Sequence, residues 1–229
     1  MKRGRIYYIS RPFIRALVGS WSVQAEPPQG PTVYVCSHGN LAGPLATQCY
    51  LPFATRPWVL HVFLDRDSCR AQYRDYTFTR RFGLPRPLAA FLALAVSGYV
   101  SALVRSVGAI PVYRGSVKLK ETFRGTVEAL RAGDSVAVFP NVDYTDESAG
   151  MGEMYEGFLL IDRFWRRVSE ERLAFVPLRL DRRERRIAAG EPVYFDRGGD
   201  RRQETARVRD ALLAFLNGAE REDGGAHGG

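Results

Sequence analysis

Residues 32–46, TVYVCSHGNLAGPLA, run from an apolar stretch into a histidine, a Gly-Asn pair and a Gly-Pro pair that opens the next segment. An apolar, β-branched run, then turn residues, then a helix-compatible segment reads as strand, turn and helix. A strand apolar on both faces belongs in a parallel sheet covered by helices. His38 closes this strand, and no acid lies between Glu26 and Asp65 to orient it.

The same alternation continues outward from that unit. Stretches rich in Val, Ile, Phe and Tyr at 58–63, 107–113, 135–139, 173–180 and 187–195 join 32–37 as predicted strands. Helical spacing fills the gaps. Leu119, Phe123, Val127 and Leu130 recur at three and four residues over 117–132, and Gly133 closes that helix. Phe158, Ile161, Trp165 and Val168 repeat the pattern, as do Val208, Leu212 and Phe215. Strands alternating with helices predict an α/β fold with a mostly parallel central sheet flanked by helices. With 229 residues and 45% hydrophobic content, one core is expected. The expected organisation is a basic amphipathic segment over 1–29, a single α/β domain over 30–216 and a disordered tail over 217–229.

Ligands of open α/β sheets collect beyond the carboxyl ends of the strands. Three such ends carry polar groups: VYVCSH ends on His38, GAIPVYR on Arg114 and SVAVFPN on Asn141. As parallel neighbours, these strands would bring all three to one edge. A histidine there serves either as a general base, its unperturbed pKa being ~6.5, or as a hydrogen-bonded strand end. Arg114 offers a planar fork for a phosphate, or is one of 30 arginines on the surface. Between Asp134 and Asp162 stand seven acids and no base, Asp143 and Asp146 among them. Their spacing fits no dense ligand set such as an EF-hand, so no metal is expected. His61, inside WVLHVF, is expected in the core, and His227 lies in the tail.

Thirty-three Lys and Arg against 25 Asp and Glu give a net charge of +8, which suits a membrane surface, a phosphorylated substrate or an acidic carrier protein. Nucleic acid is not expected, because the arginine-rich stretch over 179–202 interleaves acids and matches no recognition motif. The first 17 residues mix Lys2, Arg3, Arg5, Arg11 and Arg15 with Ile, Tyr, Phe and Leu, a composition suited to an anionic bilayer surface. No secretory signal is expected. The uncharged run over 87–104, PLAAFLALAVSGYVSALV, sits near the lower limit of roughly 17–25 residues for a span. Its polar centre favours a buried or interface-lying helix. Cys36, Cys49 and Cys69 lack the spacing of a disulfide or zinc framework, and Cys36 is not expected to act as a nucleophile.

The order of these blocks resembles the glycerolipid (1-acylglycerol-3-phosphate, or lysophospholipid) acyltransferase family. His38 matches its first block, Gly108 to Arg114 the Gly-x-x-x-x-x-Arg block, Phe139-Pro140 the Phe-Pro-Glu-Gly block, and FVPL at 175–178 the late Val-Pro strand. Gly157 resembles the glycine that opens the helix after the third block. The chain departs from the family at two carboxylates: the acid five positions beyond the histidine falls on Gly43, and the glutamate of the third block on Asn141, followed by Val142. The resemblance implies a glycerol-3-phosphate acyltransferase-like fold. It implies transfer of an acyl group from acyl-CoA or acyl-carrier protein to a lysophospholipid-type acceptor, without a bound cofactor. It also implies His38 as base, with Asn40, Gly108, Arg114, Asn141 and Gly157 around the substrate; in place of the missing acid, the acidic loop offers Asp143 or Asp146 to orient the imidazole, and Asn40 is the alternative, holding the ring through its amide oxygen. The expected location is the cytoplasmic face of a membrane. Two alternatives stand beside it: a lipid-binding scaffold that has lost the chemistry, and an acyltransferase for an amino-lipid acceptor.

Overall fold

The computed structural model describes residues 3–38, 41–141, 151 and 153–218. The elements run α1 (Arg5–Val18), β1 (Ser22–Gln24), β2 (Thr32–Cys36), α2 (Ala42–Tyr50), β3 (Thr55–Leu60), α3 (Arg66–Gln72) and α4 (Arg86–Ser106). Then follow β4 (Ile110–Val112), α5 (Leu119–Arg131), β5 (Ser135–Val138), α6 (Ile161–Trp165), β6 (Ala174–Asp181), β7 (Arg186–Ala189) and α7 (Arg201–Leu216). A 3-10 turn over His61–Phe63 leads into α3, a π-helical segment over Tyr73–Arg81 follows α3, and a 3-10 turn over Glu156–Leu160 leads into α6. The chain is α/β, with mostly parallel strands and flanking helices. Its contacts group into two compact units, one of Met1–Ser20 with Phe53–Ala137 and one of Trp21–Pro52 with Val138–Gly229.

In the first unit β3 pairs in parallel with β5 on one side and β4 on the other. Buried hydroxyls lock α5 to these strands. Trp58 Nε1 donates to Thr126 Oγ1 at 2.9 Å, Thr122 Oγ1 donates to the Pro111 carbonyl at 2.9 Å, and the Tyr113 N–H donates to Thr122 Oγ1 at 3.3 Å. The helix α1 packs on α4, where the Gly4 N–H donates to the Ser106 carbonyl and Tyr7 is buried with Val107 and Ala109. The helix α4 packs in turn on α3 and the π-helical segment.

In the second unit β2 is buried at every position and pairs in parallel with β6, Val33 opposite Phe175 and Val35 opposite Pro177. The strand β7 returns antiparallel to β6 through a turn in which Arg185 takes a φ of +49°, and β1 pairs in parallel with β7. Phe175 meets Phe158 at 6.1 Å and Phe195 at 5.7 Å between ring centroids, which centres the core on β6. Asp200 caps α7 by accepting the N–H groups of Arg202 and Gln203, and Val208, Leu212 and Leu216 form its buried stripe.

Candidate functional site

His38 leaves the end of β2 half-buried, and its backbone is held from two sides. Its N–H donates to Asn141 Oδ1 at 2.6 Å, a contact between residues 103 positions apart. Its carbonyl accepts the Gly43 N–H at 3.1 Å. The imidazole meets Phe139 edge to face, with ring centroids 5.9 Å apart. The histidine and the Phe-Pro-Asn turn, two blocks singled out in the sequence, therefore meet.

Asn141 is 2% exposed, so its amide must be satisfied inside the protein. While Oδ1 accepts from His38, Nδ2 donates to the Met151 carbonyl at 3.4 Å, and the Met151 N–H donates to Asn217 Oδ1 at 2.6 Å. A short bridge between Asn141 and Met154, and a bond from the Tyr155 N–H to the Pro140 carbonyl, complete this clasp. A carboxylate at 141 accepts but cannot donate, and its oxygen would face the Met151 carbonyl. An amide fits here where the family's glutamate does not. Asn217 escapes sequence reading because a residue just past a helix end looks like any surface amide.

Gly43 has an equally local cause. A Cβ there would lie 2.3 Å from the Ser37 carbonyl oxygen and 2.6 Å from that of His38. The start of α2 is pressed against the end of β2 so closely that this backbone excludes any side chain, including the family's acid. Gly157 is constrained by a neighbour too, since a Cβ there would lie 2.4 Å from the Tyr155 ring. Gly157 is the second residue of the 3-10 turn over Glu156–Leu160 that leads into α6.

Asn40, Asp143 and Asp146 lie outside the described residues. Among the described acids between 134 and 162, Asp134 pairs with Arg56 at 3.8 Å, Glu156 with Arg209 at 2.7 Å and Asp162 with Arg166 at 2.8 Å. Burial raises the Asp162 carboxyl above its ordinary value, and the Arg166 charge opposes that shift. Cys36 and the other two cysteines are free and buried, and burial pushes the Cys36 thiol far up, as fits a core residue. Among the described residues no group of three or more His, Cys, Asp or Glu is placed to hold a metal ion.

Arg114 belongs to the first unit, where it is exposed just beyond β4. Gly108 precedes the other end of that strand with φ +70°, and its carbonyl accepts Arg56 Nε at 2.8 Å. The glycine shapes the entry to β4 while the arginine stands at its exit. His61 corrects the expectation of a core residue. The strand β3 stops at Leu60, and His61 is exposed in the following turn, stacked on Tyr113 with centroids 4.8 Å apart and rings 29° from parallel. Its Nδ1 lies 3.2 Å from the Val112 carbonyl. A carbonyl only accepts, so Nδ1 carries the hydrogen and neutral His61 keeps its lone pair on Nε2. Lys118 Nζ sits 5.9 Å from the centre of the Tyr113 ring. The register of Leu60 opposite Val112 sets His61 beside Tyr113, a pairing that no local pattern reveals.

Comparison with protein-family models, with curated proteins and with solved structures finds no match to this chain.

Proposed function

We propose that the chain is an O-acyltransferase of the glycerolipid type. The observation that carries the reading is the 2.6 Å bond from the His38 N–H to Asn141, because it joins the histidine block to the Phe-Pro block across 103 residues. In this reading His38 takes the proton from an acceptor hydroxyl, whose oxygen attacks the carbonyl of an acyl thioester. The carbon–sulfur bond breaks, and the thiolate leaves as a thiol with a proton returned from the imidazolium. The donor is acyl-CoA or an acyl-carrier protein, and the acceptor is a lysophospholipid-type molecule whose phosphate is gripped by Arg114, with Lys118 as a neighbouring positive group. Asp143 and Asp146 are the candidates to orient the imidazole.

One observation favours a second reading. The backbone around Gly43 leaves no room for the orienting acid, as expected of a lipid-binding protein that has kept the scaffold and lost the chemistry. One experiment separates the two. Wild type and His38→Ala are given acyl-CoA and acyl-carrier protein with lysophosphatidic acid, other lysophospholipids and amino-lipids. Acyl transfer by wild type, lowered at least about 100-fold in the variant, supports the base. The acceptor that turns over names the head group, an amino-lipid included. Lipid binding without transfer to any acceptor would favour the scaffold.

A further inference from the structure

The helix α4 is built inside out for a water-soluble protein. Its buried positions are Ala89, Ala93, Ser97 and Ser101, four residues apart, and its large apolar side chains point the other way. Phe91 is 69% exposed, with Leu88, Leu94 and Tyr99 also exposed. Only 22% of its most apolar 18-residue window is buried, so this is not the core helix that its composition resembles. Small residues at the packed edge and large ones outward are what a helix shows when its outer face meets lipid. The partner helix α1 repeats the arrangement. Tyr7 and Ser10 are buried, while Ile9, Phe13 and Leu17, at four-residue spacing, are 65%, 73% and 82% exposed.

We propose that α1 and α4 form a surface that seats the first unit on an anionic phospholipid bilayer, with both helices lying in the interface and neither crossing it. Charge selects the occupant. The helix α1 carries Arg5, Arg11 and Arg15 and no acid, Arg80 and Arg81 end the π-helical segment, and Arg86 opens α4. These arginines suit lipid phosphates, and the exposed Tyr8 and Tyr99 suit the headgroup level.

Packing excludes the span. At 21 residues α4 is about 32 Å long, enough to cross. Near its midpoint, however, Gly98 faces Arg66, whose Nε lies 3.5 Å from where a Cβ would be. On the same inner edge Ser101 Oγ donates to the Phe63 carbonyl at 3.0 Å. Crossing would carry the Arg66 guanidinium to mid-membrane, whereas lying flat leaves it on the wet side. The inference concerns the first unit's surface alone and does not need acyl transfer.

The test floats the full-length chain with vesicles of phosphatidylglycerol and phosphatidylethanolamine, or of phosphatidylcholine alone. Wild type is expected to bind the anionic vesicles, with affinity falling as salt rises. Phe13→Glu and Phe91→Glu should each lower partitioning about tenfold or more with unchanged circular dichroism, since both side chains are exposed. Spin labels at Leu88→Cys and Tyr99→Cys, with the native cysteines buried, should report the same shallow depth. Labels at opposite leaflets, or resistance to alkaline extraction, would overturn the flat arrangement. Equal binding of both vesicle types, unaltered binding by the glutamate variants, or a dimer that those variants dissociate in place of vesicle binding would overturn the bilayer surface.

Discussion

At Gly43 the decisive quantity is the 2.3 Å between a hypothetical Cβ and the Ser37 carbonyl oxygen. That distance is well inside van der Waals contact, and the obstacle is backbone, which cannot rotate away. Placing an acid at this position is therefore not a neutral change. Gly43→Ala and Gly43→Asp are both expected to destabilise the protein by about 1–3 kcal/mol or more, because α2 must pull away from the end of β2. Urea unfolding followed by circular dichroism would measure this, and a Gly43→Asp protein as stable as wild type would show that the helix start is free to move. Asn141 follows the same logic with opposite chemistry. Its two contacts require one acceptor and one donor on a single buried side chain, which glutamine or asparagine supplies and an acid does not. Both departures from the family pattern are set by the immediate backbone.

At the scale of elements, what could be read in the sequence follows periodicity. The elements β2, α5 and α7 lie where their apolar spacing puts them, because each buries one side against a sheet or is buried on all sides. The expected strand over 58–63 is shifted to Thr55–Leu60, since the apolar run WVLHVF continues into a 3-10 turn without a composition break. The elements α3 and the π-helical segment hide because they are charged and only half-buried, and three-residue β1 is too short to show a pattern. The run over 87–104 reads as a helix, yet its spacing cannot say that the alanines and serines turn inward. Packing alone decides that. The hydroxyl relay of α5 was equally illegible, and it carries a prediction. Thr122 Oγ1 serves the Pro111 carbonyl and the Tyr113 N–H together, so Thr122→Val leaves two polar groups of the β4 exit without their partner. The expected loss is about 1–3 kcal/mol, largely recovered by Thr122→Ser. If valine and serine behaved alike, the hydroxyl would not be what fixes α5 to β4 and holds Tyr113 beneath His61.

For the whole molecule, the balance of charge predicts an acid-sensitive fold. The Glu204 carboxyl is pulled from its ordinary 4.5 to about 2, first by hydrogen bonding to Arg207 and then by the Asp196 N–H. Asp65 and Asp181 are lowered chiefly by backbone N–H bonds, from Ser68 and Glu184, and Asp75 by Arg74. A carboxyl lowered by folding stabilises the fold above its unfolded value, and that contribution is lost as pH falls towards the folded value. Asp162 runs the other way, because burial raises it and its protonated form suits the fold. Four lowered groups against one raised group leave a net loss on acidification. Repulsion adds to it, since protonating 25 carboxylates leaves 33 lysine and arginine charges without a counterweight. The urea midpoint should therefore hold above about pH 5 and fall steadily from pH 4.5 to 2, with 0.5 M salt recovering the repulsive share. Glu204→Gln should be less stable than wild type at pH 7 and lose less on acidification, so that the two curves converge near pH 2. A midpoint that rises between pH 5 and 3 would mean that the Asp162 site dominates and that the α7 contacts of Glu204 hold little of the fold together.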